Sequence, residues 1–180
     1  VSSKLVDDTS IGFQKGIFAM CVITDGTEKK LPAQAELLTD NNISVVYRGH
    51  DGWVYKRSIP FLIENELFCL QQMQDTGFVP DVQRYDKYTL AITDLGKSDM
   101  VFDKDRFRMN MYQLLRALQR KGIRHGDITK YSIIVKNDWP YLIDFSESRL
   151  VDDPRPDKRK EGDRYWTERT IHELAPTMEG

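Results

Sequence analysis

An α+β fold is what this sequence predicts, on three observations. Residues 43–48 and 53–57 are short β-rich runs joined by Gly49-His50-Asp51-Gly52, which is hairpin and turn chemistry. Segments 61–73 and 103–121 carry apolar residues at helical spacing. A second pair of apolar runs, Ile133-Ile134-Val135 and Tyr141-Leu142-Ile143, flanks the turn cluster Asn137-Asp138-Trp139-Pro140. With 180 residues the chain makes one domain with a real core. Its 28 acidic and 26 basic residues give a formal net charge of -2, a balance that calls for no nucleic-acid or membrane partner.

Taken in order, residues 1–36 are the least legible. The run 17–24 (IFAMCVIT) reads as a strand and Asp25-Gly26 as a turn. After the 43–57 hairpin comes the helix 61–73, with Pro60 suited to its first turn and Phe61, Ile63, Leu67, Leu70 and Met73 among its apolar positions. Gly77-Phe78-Val79-Pro80-Asp81 ends it, and a strand over 88–92 runs into the turn 93–96. The helix 103–121 starts acidic, finishes basic, is stopped by Gly122, and aligns Phe107, Met111, Leu114, Leu115 and Leu118. Met109 and Met111 read as core filler. A last helix is expected over 163–174.

Cys21 and Cys69 lie in apolar surroundings and read as core residues, neither a disulfide nor metal ligands. A reducing compartment follows, cytoplasmic by default with the nucleus left open. No run of about 18 apolar residues occurs, so no membrane span is expected. The chain does not begin with Met and reads as a fragment, from which a targeting signal could have been removed. His50 and His172 stand alone, without metal-site spacing.

Chemistry concentrates in 124–145, RHGDITKYSIIVKNDWPYLIDF. Asp127 precedes the first strand of the second hairpin and Asp144 follows the other, so the hairpin brings the two carboxylates together. Phosphoryl transfer needs such a pair: one orients the acceptor hydroxyl and the other holds the Mg²⁺ that bridges the phosphates.

This stretch resembles the protein-kinase-like superfamily, whose catalytic and metal loops have this order and spacing. The variant HGDIT is most similar to the RIO-type kinases and the small kinase of the KEOPS tRNA-modification complex; aminoglycoside and fructosamine kinases share an HGD-type loop. The resemblance covers roughly 37–175 and implies a two-lobed protein-kinase-like fold. An N-terminal extension would take 1–36, a small antiparallel-sheet N-lobe 37–95, and a reduced helical C-lobe 96–180. It implies ATP and Mg²⁺ as cofactors. Asp127 would be the catalytic carboxylate, Asp144 the Mg²⁺ ligand and Lys56 the phosphate-binding lysine. Glu66, in E-L-x-x-L, would be the helix glutamate that holds Lys56, with Glu64 as fallback. Ile92 would be the gatekeeper, and the Thr93 carbonyl and Leu95 amide would face the adenine. Asp163 would anchor the backbone of the catalytic loop.

Several positions depart from the family pattern. The phosphate loop, 39–44, has no glycine and offers Asn41, Asn42 and Ser44 instead. Ser132 replaces the metal-binding Asn, so a serine hydroxyl would be the second metal ligand. Gly126 replaces an arginine, which removes control through a phosphorylated activation loop. Ser146 stands where a glycine is expected. No peptide-substrate platform is recognisable in the charged segment that follows Ser148, and the basic run 155–160 reads as a solvated loop, with contact to RNA or an acidic protein as the alternative. Three functions remain: a minimal ATP-dependent Ser/Thr protein kinase or ATPase, a pseudokinase binding module, and a small-molecule kinase. A protein substrate or complex partner is expected.

Overall fold

The structure is a computed structural model that describes residues 29–32, 34–41, 43–153 and 161–176. The predicted hairpin forms as β2 (Ser44–Arg48) and β3 (Trp53–Ser58), preceded by β1 (Glu36–Asp40) and followed later by β4 (Val82–Arg84) and β5 (Thr89–Thr93). These five strands make one antiparallel sheet in the spatial order β1-β2-β3-β5-β4. Lys56 lies opposite Val46 on one side and Leu90 on the other, so the lysine comes from the middle of the central strand. The β2–β3 turn needs Gly49, because a Cβ there would come within 2.9 Å of the Tyr55 ring.

Between β3 and β4 runs α1 (Pro60–Met73), which buries Ile63, Glu66, Leu67, Leu70 and Met73 on one face. The second long helix, α2 (Lys104–Arg120), is capped by the Asp103 carboxylate, which accepts the Arg106 amide at 2.9 Å. Phe107, Met111, Leu114 and Leu118 follow at i, i+4, i+7 and i+11 and are all buried. Each such side chain contributes about 1.5–3 kcal/mol by leaving water. Met109, expected in the core, points outward at 60% exposure, because it falls between the rows that face inward.

Beyond α2 come β6 (Ile123–Arg124), β7 (Ile133–Lys136), β8 (Trp139–Leu142), β9 (Arg149–Leu150) and α3 (Asp163–Leu174); β6 pairs with β9 and β7 with β8. The α+β expectation holds, and one apolar cluster joins α1, β5, α2, the β7–β8 hairpin and α3. Among the described residues no helix is long and apolar enough to cross a membrane.

The turn between β7 and β8 is tighter than expected. Only Asn137 and Asp138 make it, with φ of 51° and 62°, and positive φ at both central positions matches the twist of a two-residue hairpin. Trp139 and Pro140, expected in the turn, lie in β8. Pro140 is tolerated because the ribbon has only two strands and its missing amide can face outward. Trp139 stacks on Phe78 at 4.6 Å and donates its indole N–H to the Gly77 carbonyl at 2.8 Å, tying the hairpin to the exit of α1. Four strands escape the sequence pattern, the two-residue β6 and β9 among them. β1 is exposed along its whole length, and β4 has only three residues, so neither shows alternation. The 17–24 strand, the 25–26 turn, Cys21, Asn42 and the basic run 155–160 lie outside the described residues. Cys69 is buried and free.

Asp138 does more than turn the chain. It is 6% exposed, and its Oδ1 accepts the amides of Phe102 at 2.8 Å and Asp103 at 3.2 Å, while its carbonyl accepts the Asn110 side-chain amide at 2.9 Å. Asp138→Gly keeps the left-handed backbone accessible but strands two amides. It is expected to destabilise the fold by about 1–3 kcal/mol, seen in urea titration as a lower midpoint at unchanged slope.

Candidate active site

The site begins with a buried cation. Lys56 is 8% exposed; its Nζ lies 2.7 Å from Glu66 Oε2 on α1 and 2.5 Å from Asp144 Oδ1 just after β8. Burial alone would push the lysine down, but the two carboxylates outweigh it and hold Lys56 above its ordinary range. Burial pushes the Glu66 carboxyl up, against the pull of the Lys56 ammonium. Asp144 is half exposed. Partial burial would raise its carboxyl, but the Lys56 ammonium and a 2.7 Å hydrogen bond donated by Ser146 Oγ hold it below the usual carboxylate range. The fallback glutamate, Glu64, is engaged elsewhere, paired to Arg84 of β4.

Asp144 sits at φ 65°, a left-handed conformation that a non-glycine residue adopts only when its surroundings insist. Those surroundings come from α1. Glu66 Oε1 accepts the Phe145 amide at 3.2 Å, and the Asn65 side-chain amide donates to the carbonyls of Phe145, Ser146 and Ser148 at 3.4, 3.3 and 2.7 Å. The Phe145 ring is fully buried edge-on against His125, 4.7 Å away.

Lys56, Glu66 and Asp144 close one end of a cleft of about 300 Å³. Val46 and Val54 from the sheet face Ile134 and Ile143 from the hairpin across it, and Ile92, Thr93 and Leu95 line its edge. An apolar slot with a cation and carboxylates at one end suits a planar ring carrying an anionic chain. The amides of Thr93 and Asp94 are held by the carbonyls of Asp81 and Gly52, both at 2.9 Å. The loop expected over 39–44 is narrower: β1 continues to Asp40. Asn41 Oδ1 accepts the amides of Ile43 at 2.9 Å and Ser44 at 2.8 Å, a side-chain turn in place of glycine.

The Asp127 loop is built by Asp163. One oxygen of its carboxylate accepts the His125 amide at 2.7 Å and the other the Gly126 amide at 2.8 Å, as expected of that residue. Gly126 has φ 81°, where a side chain would be strained. His125 is fully buried, accepts the Asp127 amide on Nδ1 at 3.3 Å, and turns Nε2 to the Ile143 carbonyl at 3.2 Å. That pattern assigns the neutral Nε2–H tautomer. The Ile143 amide also donates to the Ser132 carbonyl, at 2.9 Å. Both ends of the loop are therefore stitched to the residue before Asp144.

Ser132 does not face the cleft. It is 5% exposed, its Oγ lies 2.8 Å from the Asp127 carbonyl and 2.9 Å from that of Thr129, and it accepts the Thr129 amide at 2.9 Å. The hydroxyl is spent inside the loop, because a serine is too short to brace the loop and reach outward as well. Of the expected site residues, Lys56, Glu66, Ile92, Thr93, Leu95 and Asp144 line the cleft. Asp127 stands on the adjoining loop. Sequence reasoning missed Asn65 and the Ser146 hydroxyl, since neither spacing nor polarity marks a residue that acts on backbone carbonyls or on a neighbour two positions away.

The family model described as the RIO domain matches residues 55–160, more than half of the chain. Among solved structures the chain is similar to the Rio2 kinase from Chaetomium thermophilum, with a TM-score of 0.59 and 14% identity over 77% of this chain and 57% of that one. It is similar also to that kinase's ADP/Mg²⁺-phosphoaspartate complex, with a TM-score of 0.56 and 14% identity over 76% of this chain and 53% of that one. The chain thus spans little more than half the length of these relatives. No curated protein matches it in sequence.

Burial holds His125 below its usual 6.5, against the opposing carboxylates of Asp163 and Asp144. A depressed folded-state pKa contributes stability that is complete above the unfolded value and lost as pH falls below it. Unfolding free energy is therefore expected to decline as pH falls below about 6.5, by up to ~1.4 kcal/mol per pH unit. Urea titrations across that window should show the slope in the wild type and a flatter profile in His125→Asn.

Proposed function

The chain belongs to the RIO domain family, and from that premise we propose that it is an ATP-dependent phosphotransferase, a minimal atypical Ser/Thr protein kinase or ATPase. The observation that carries the reading is the Lys56 ammonium clamped between Glu66 and Asp144 at the end of an apolar slot. The donor set fits a nucleotide and its metal. The slot takes the base, with Ile92, Thr93 and Leu95 at its edge, Lys56 meets the phosphates, and the Asp144 carboxylate is an oxygen ligand of the kind Mg²⁺ prefers. The Rio2 complex, whose description names ADP and Mg²⁺, supports the same choice of ligands. On this reading the cleft lies between a sheet lobe, 37–95, and a helical lobe, 96–180. The protein works in the cytoplasm on a protein substrate or within a complex.

Bound Mg²⁺ would neutralise charge on the phosphates. The chain does the positioning. Glu66 fixes Lys56, Lys56 holds the phosphates, and Asp163 and Ser132 fix the loop on which Asp127 receives the acceptor hydroxyl. As the hydroxyl oxygen bonds to the terminal phosphorus, the bond from that phosphorus to the bridging oxygen breaks. ADP leaves with that electron pair, and the hydroxyl proton passes to the Asp127 carboxylate. With water as acceptor the same step is ATP hydrolysis. The inward-turned Ser132 favours a second reading, a pseudokinase that binds nucleotide without turnover.

Phosphate release, measured beside nucleotide affinity, separates them. Asp127→Ala is expected to lower turnover by about 10²–10⁴ while leaving affinity intact, whereas Lys56→Ala and Asp144→Ala should impair both. Mg-nucleotide at 100-fold excess over Kd should also stabilise the wild type by about 2.7 kcal/mol in melting experiments. Wild-type turnover no higher than that of Asp127→Ala would leave only the binding module.

A further inference from the structure

The geometry points to Ser146 as a second protein ligand of the metal held by Asp144, an inference that rests on the nucleotide-binding reading above. Ser146 Oγ lies 2.7 Å from Asp144 Oδ1. Octahedral Mg²⁺ holds its oxygens at about 2.0–2.1 Å, which sets neighbouring ligand oxygens roughly 2.9 Å apart. The two side chains already stand at nearly the spacing of adjacent vertices. The hydroxyl gives its proton to Asp144, and its lone pairs remain available for a cation.

The pair is held in place from outside. Asn65 binds the Ser146 carbonyl at 3.3 Å and the carbonyls of Phe145 and Ser148 around it, while the left-handed Asp144 turns the chain so that both side chains meet. Asp144 is 57% exposed, so the pair is open to a ligand entering the cleft. Ser132 cannot serve, its hydroxyl being buried among three backbone partners. Among the described residues no cluster of three or more His, Cys, Asp or Glu could hold a metal. A cation at Asp144 would then draw the rest of its shell from other oxygens, of neighbouring side chains, phosphates and water. Ser146 supplies a hydroxyl.

The test is ADP affinity by titration calorimetry, without divalent cation and with Mg²⁺ or Cd²⁺, in the wild type, Ser146→Ala, Ser146→Thr and Ser146→Cys. Ser146→Ala should weaken ADP binding in Mg²⁺ about tenfold or more and leave metal-free binding unchanged. Ser146→Thr should restore it. Ser146→Cys should bind poorly in Mg²⁺ and recover in Cd²⁺, because a thiolate prefers a soft cation; that recovery requires direct ligation and would not follow from a merely structural role. A Ser146→Ala protein equal to wild type in Mg²⁺, or a cysteine variant without recovery in Cd²⁺, would overturn this inference alone. Wild-type ADP binding indifferent to Mg²⁺ would overturn it together with the phosphotransfer reading.

Discussion

A lysine with 8% exposure is the constraint from which the site follows. An ammonium buried without a partner would lose its proton or unfold its surroundings, and one carboxylate would leave it neutralised but free to swing. Two carboxylates from opposite sides fix its position. Glu66 must come from a helix packed on the sheet and Asp144 from the far side of the cleft, so a single charge balance holds α1, β3 and the end of β8 in register. Removing either acid would leave a buried cation with half its compensation.

The Asp127 loop obeys a different logic. Its backbone amides, rather than its side chains, are what the fold satisfies. Asp163 takes two of them and His125 Nδ1 takes a third, while the Ser132 hydroxyl takes the Thr129 amide and binds two carbonyls. A loop held this way keeps its shape through its own backbone hydrogen bonds.

How legible these features were depends on how far each residue's partner lies in sequence and what kind of group it is. Hairpin turns, helix caps and apolar rows are local, so β2, β3, α1 and α2 could be read within a residue or two of their bounds. The pairing of Lys56 with Glu66 and the anchoring by Asp163 came through resemblance of motifs, because nothing near Lys56 in sequence marks its partner. β1 and β4 were illegible since an exposed edge strand and a three-residue strand carry no period. Ser132 was expected at a metal and lies inside its loop, a choice between backbone and ligand that a hydroxyl's position in the chain does not reveal. Asn65 was invisible because its targets are carbonyls, which every residue has.

The two-residue turn at Asn137-Asp138 has a consequence for how this chain can vary over evolutionary time. With positive φ at both positions and Asp138 tied to the start of α2, the turn fixes the β7–β8 pairing, which sets Ile133 opposite Leu142. A one-residue slip of β7 would exchange its faces, sending Ile133 and Val135 out of the core, and one of β8 would do the same to Leu142. Either would also shift Asp144 along the ribbon relative to Asp127. The spacing between the two aspartates is therefore held by the hairpin register, while the sequence within it can drift wherever a side chain faces outward.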